Sequence, residues 1–108
     1  MEKVLIVQTT FDDREEAGNF ARKVVHKRLA ACAQLSGEVE SFYWWNNGIE
    51  QSGEVILSMK TLDVMYSKLE AYINATHSYE TPEILAIPVE HVGTGYVEWL
   101  HREILKSE

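Results

Sequence analysis

The first apolar run of the chain is Val4 to Val7, inside "KVLIVQTT", and its unbroken, β-branched character predicts a buried central strand. Asp12 then offers a capping oxygen, with Glu15 three residues on as in a capping box. The spacing of Ala17, Phe20, Ala21, Val24, Val25 and Leu29 predicts a helix with one apolar face. Arg22, Lys23, Lys27 and Arg28 fall late in it, where cations complement the helix dipole. Phe42-Tyr43-Trp44-Trp45 and Val55-Ile56-Leu57 read as strands, and Asn47-Gly48 between them is a hairpin signal because both residues tolerate positive φ. Leu62, Met65, Tyr66, Leu69, Tyr72 and Ile73 recur at helical spacing and predict a second helix. Glu83 to Val89 is the last expected strand, its run Ile84-Leu85-Ala86-Ile87 reading as the inside of a sheet. Pro88 cannot donate to a ladder, which places that strand at an edge or at a bulge. Thr94 is expected to cap a short C-terminal helix with Tyr96, Trp99, Leu100 and Ile104 facing inward.

The order is β-α-β-β-α-β plus a terminal helix: an α+β, ferredoxin-like sandwich, with a single domain over residues 1–108. Two helices would cover one face of a four-stranded antiparallel sheet. The other face would be bare in one chain, and with an aromatic hairpin on it is expected to meet another subunit. In this topology Thr9 and Thr10, the hairpin tip and the His77-to-Pro82 loop share one end of the sheet. Cys32 and Lys60 fall at the opposite end, on the order of 20 Å away. Cys32 and His77 therefore meet on one ion only between subunits, or not at all.

Composition narrows the function classes. Of 108 residues, 10 are Lys or Arg and 17 are Asp or Glu, a net charge of −7. That balance argues against nucleic acid, whose phosphates need clustered cations, and it favours cations near the surface. "GEVILSMKT" also lacks the aromatic pattern of an RNA-recognition strand. A lone Cys32 excludes an intramolecular disulfide, and Val4 to Val7 is too short for a signal peptide or membrane span. The expected location is cytoplasmic, with no membrane partner. No Ser/His/Asp or Cys/His nucleophile pattern is readable, and the chain is not expected to be an enzyme.

The stretch "THSYETPEILAIP" (residues 76–88) sets a histidine, a tyrosine and two glutamates just ahead of an apolar run. His77, Glu80 and Glu83 form a nitrogen and oxygen set that suits Zn²⁺ or Cu²⁺. The plainer reading stands beside it: a turn histidine, a solvated Glu80, a strand-entry Glu83, and Thr81-Pro82 fixing the chain direction. Cys32 likewise reads either as a ligand or as a small buried hydrophobe.

Several segments resemble the divalent-cation tolerance protein (CutA) family: "RLAACAQL", "FYWWNNGIEQ", "MKT", "HSYETPEILAIPV" and "YVEWL", in order along nearly the whole chain. Two positions depart from the family pattern. Ser78 stands where a proline is usual, and Asn46-Asn47-Gly48 replaces a Glu-Gly-Lys-like hairpin tip. The serine is expected to loosen the loop. The resemblance implies a homotrimer with its sheets packed around a threefold axis, linked to tolerance of copper and other divalent cations, with some members binding Cu²⁺ or Zn²⁺. The family is also similar to the trimeric P-II signal-transduction proteins, which bind small ligands between subunits. By motif position the resemblance carries over Cys32, Tyr43, Trp45, Lys60, His77, Tyr79 and Glu83 as site candidates. The leading expectation is a cytoplasmic homotrimer that binds a divalent metal through His77, Glu83, Glu80 and Cys32. The alternative is a ligand-sensing or protein-binding trimer, with Tyr43, Trp45, Lys60 and Tyr79 lining a cleft and no direct metal role.

Overall fold

The β-branched run at the start becomes strand β1 (Val4–Phe11), which lies inside the sheet with a neighbour on either side. In a computed structural model that describes residues 3–106, it is followed by α1 (Arg14–His26), β2 (Cys32–Trp45) and β3 (Gly48–Leu62). A 3-10 turn (Asp63–Met65), α2 (Tyr66–Thr76), β4 (Leu85–Val89) and α3 (Thr94–Ile104) complete the chain. The two outermost positions at each terminus of the expected 1–108 domain lie outside the described residues. The strands form one antiparallel sheet in the order β2-β3-β1-β4, the ferredoxin-like arrangement. No helix among the described residues is long and apolar enough to cross a membrane.

Alternation along the strands decides what each face buries. Leu5, Val7 and Phe11 of β1 and Val55, Leu57 and Met59 of β3 point to the same side. There they meet Ala17, Phe20 and Val24 of α1 and Leu69 and Ile73 of α2. Each large apolar side chain buried this way contributes about 1.5–3 kcal/mol. Val4 and Leu62 lie on the alternate side and form a second cluster with Val97, Leu100 and Ile104 of α3. The second face is therefore not wholly bare: α3 covers it at the Val4–Leu62 end. Beyond that end it stays open, and the run expected inside the sheet is not inside, with Leu85 49% and Ile87 47% exposed. As Pro88 requires, β4 is an edge strand.

The ends of the elements differ in detail from expectation. The N-cap of α1 is Asp13, whose Oδ1 accepts from the Glu15 N–H, and Asp12 lies outside the helix. Val25 turns to solvent, while Val24 beside it takes the inward position in the core. The helix stops in a Schellman turn, in which the Arg28 N–H bonds the Val25 carbonyl and the Leu29 N–H bonds the Val24 carbonyl. Arg28 occupies the left-handed position (φ 60) usually given to glycine, and its guanidinium donates to the carbonyl of Glu103, tying α1 to α3. Leu62 belongs to β3, so the second helical segment begins with the 3-10 turn. Strand β4 begins at Leu85 instead of Glu83. Gly93, not Thr94, sits at the cap of α3 and makes no side-chain cap bond. Tyr96 is exposed at the surface of α3, where Val97 takes the inward position.

The β2–β3 hairpin runs past the helices, leaving Trp44 73% exposed beside exposed Phe42 and Ile49. Its turn is Asn46-Asn47 (φ 50 and 66), a type I′ pair, and Gly48 is already the first residue of β3. Between Leu35 and Glu38 the β2–β3 register shifts by a bulge, which the Ser36 hydroxyl closes by accepting the Ile56 N–H.

Candidate functional site

Beyond the bulge, Ser41 and Tyr43 of β2 face the open side of the sheet opposite Ser52 and Glu50 of β3, with Trp45 opposite Gly48 and Glu54 opposite Val39. Thr10 at the end of β1 and the Tyr79-to-Glu83 segment close a cleft of about 800 Å³ around them. Its lining holds four carboxylates, Glu50, Glu54, Glu80 and Glu83, and no lysine, arginine or histidine.

His77 holds the loop in place rather than lining the cleft. Its Nδ1 accepts the Tyr79 N–H at 3.0 Å, so Nε2 carries the proton and donates to the Thr10 carbonyl at 2.7 Å. The ring stacks on Phe11 with centroids 4.1 Å apart. With both nitrogens engaged, His77 presents no lone pair to a cation. Ser78 does not loosen the loop as expected, since its hydroxyl donates to Glu16 of α1 at 2.9 Å. Tyr79 reaches across to β3 and donates to Glu54 at 2.6 Å. Burial, followed by that hydrogen bond and the Glu54 charge, holds the Tyr79 hydroxyl well above the ordinary tyrosine range. Glu83 accepts from Gln8 of β1 at 2.9 Å, which fixes the start of the strand-entry segment.

The other candidates are elsewhere. Cys32 pairs in register with Lys60, and Lys60 with Ile6, which is four residues or about 13 Å along β1 from Thr10. The Lys60 ammonium donates to Gln34. Tyr96 of α3 lies beside Cys32, and partial burial, followed by the neighbouring Cys32 thiol, raises the Tyr96 hydroxyl above its ordinary range. The structure thus brings together Tyr43, Trp45, Tyr79, Glu80 and Glu83, and leaves Cys32 and Lys60 at the far end. Among the described residues no three His, Cys, Asp or Glu side chains converge as a metal shell. The expected set of His77, Glu80, Glu83 and Cys32 therefore does not assemble within one chain.

Glu50 and Glu54 are the site residues that sequence reading passed over. Their signal was there in Glu50, Ser52 and Glu54 at period two, on the face opposite Val55 and Leu57.

The sequence model of the CutA1 divalent ion tolerance protein family matches residues 5–103, so both halves of the cleft lie within the match. The chain belongs to the CutA1 family. The Pyrococcus horikoshii divalent-cation tolerance protein CutA is 38% identical over 103 residues, covering 95% of this chain and all of that one. The chloroplastic CutA 1 of Oryza sativa is 29% identical over 103 residues, which are 95% of this chain but 58% of the rice protein. This chain thus spans little more than half the length of that relative. The crystal structure of CutA1 from rice superposes with a TM-score of 0.93 at 28% identity, covering 98% of this chain and 97% of that one. That of CutA from Archaeoglobus fulgidus, described as periplasmic, gives 0.90 at 31% identity and covers 94% and 98%. The ferredoxin-like CutA fold is therefore shared throughout.

Proposed function

We propose that this CutA1-family chain acts as a cytoplasmic homotrimer that gathers divalent cations such as Cu²⁺ or Zn²⁺ at its carboxylate-lined cleft. The role is binding, not catalysis. One observation carries the reading: Glu50, Glu54, Glu80 and Glu83 line the cleft with no cationic side chain among them. In a chain of net charge −7, such a cleft concentrates cations before any specific coordination. Coordination itself needs more than one chain offers, because no three ligands converge among the described residues. The partly open face with Leu85 and Ile87 supports assembly, and a neighbouring subunit set against it would bring further donors to the cleft.

Calorimetry with Zn²⁺ and Cu²⁺ tests the reading. Saturable heat at micromolar metal is expected for the wild-type protein, weakened about tenfold in Glu83→Gln and in Glu54→Gln. Absence of heat in the wild type, or identical isotherms for all three proteins, removes the cleft as the metal site.

A further inference from the structure

Asn47 and Gly48 meet at the outer end of the β2–β3 hairpin, where Trp45 with Gly48 is the last pair of the ladder. Asn47 is exposed and holds φ 66. The turn does not itself require glycine at 48: no glycine among the described residues has a positive φ, and a Cβ there would meet only the Trp45 carbonyl oxygen, at 3.9 Å. What the missing side chain leaves is an unobstructed backbone nitrogen beside the Asn47 side-chain amide. Pairs at the end of a ladder open most readily, which frees that nitrogen from the hairpin. The other asparagines lack this combination. Asn46 is followed by Asn47, whose Cβ crowds the approach. Asn19 and Asn74 lie within α1 and α2, where the next nitrogen is tied into a helical hydrogen bond. Asn19 also accepts from Arg22 through its side-chain oxygen.

We propose that Asn47 is a site of spontaneous covalent modification, through which the hairpin tip ages. The Gly48 nitrogen attacks Asn47 Cγ, its proton leaves with the side-chain nitrogen as ammonia, and a succinimide ring closes. Water then adds to either ring carbonyl and opens the ring, to aspartate if it adds at Cγ and to isoaspartate if it adds at the Cα side. A water is consumed and an ammonia released, with no change of oxidation state. Either product adds a negative charge to a chain of net charge −7. Isoaspartate also lengthens the main chain by a carbon atom, and a tight hairpin turn has no slack for it. The pairs Trp45–Gly48 and Trp44–Ile49 then come apart, and the two tryptophan rings lose their fixed places. None of this depends on what the cleft binds.

The intact protein, held for days at physiological temperature and mildly alkaline pH and then mapped peptide by peptide by mass spectrometry, tests the proposal. Asn47 is expected to convert at least about tenfold faster than Asn19 or Asn74, in a peptide about 1 Da heavier that protein isoaspartyl methyltransferase labels. Gly48→Ala is expected to slow the conversion about tenfold without lowering the melting temperature, since the added Cβ has room. Converted wild-type protein, separated by anion exchange, is expected to melt lower and to lose near-ultraviolet dichroism from Trp44 and Trp45. Gly48→Ala protein treated alike keeps both. Conversion of Asn47 no faster than that of Asn19 and Asn74, or Gly48→Ala converting at the wild-type rate, overturns the site. Converted protein with the melting temperature and dichroism of the fresh protein overturns the loosening of the tip.

Discussion

His77 shows how a side chain with metal-ligand chemistry is used for architecture. Its two hydrogen bonds and its stack on Phe11 fasten the loop after α2 to the end of β1. His77→Ala is expected to lower the unfolding free energy by about 2–3 kcal/mol, read by urea titration. No local pattern announces this role, because Thr10 is 67 residues away in sequence and only the folded chain brings it near. Tyr79 makes a second testable case. Its hydroxyl is held protonated above the ordinary value of 10.0, whereas in the unfolded chain it ionises near that value. Above this pH the unfolded state binds fewer protons than the folded one, so stability falls as pH rises; below it the contribution is fully present. Tyr79→Phe is expected to flatten the alkaline loss of stability and to remove the latest-titrating phenol from the ultraviolet titration.

The regular elements were largely legible, since each carries its own period: 3.6 for Phe20, Val24 and their neighbours, and a continuous run for β1. Their ends were not, because caps and turns depend on backbone geometry that several residue types share. Asp12 and Asp13 are equivalent as cap formers by composition, and only the path out of β1 selects the second. The hairpin is similar, with the turn at Asn46-Asn47 one residue before the Asn-Gly pair that stood out. Asn47 holds φ 66, which suits glycine and strains β-branched residues. Asn47→Gly is expected to raise stability by a few tenths of a kcal/mol, and Asn47→Val to lower it by about 1–2 kcal/mol, compared by thermal melting. Strand β4 was readable as an edge from Pro88, but not as an exposed one, because its apolar run looks the same whether another part of this chain or another chain covers it.

The molecule as a whole is asymmetric, with one face of the sheet sealed by α1 and α2 and the other covered only at the α3 end. On the proposed assembly, native mass spectrometry of the wild-type protein at micromolar concentration gives a trimer, and Ile87→Lys shifts it to a monomer. A wild-type monomer would count against assembly through that face. Candidate site residues were legible by type but not by company, since their grouping depends on strand parity. That parity turns on the bulge between Leu35 and Glu38. Ahead of it, Ala33 and Leu35 sit with the core; behind it, Tyr43 and Trp45 are on the opposite face. The extra residue works like a frameshift in the pleat. Deleting Gly37 would straighten the ladder while the turn at Asn46-Asn47 still sets Tyr43 against Glu50, so the rings would keep their side and β2 would lose only the bend and added twist that one extra backbone unit gives it.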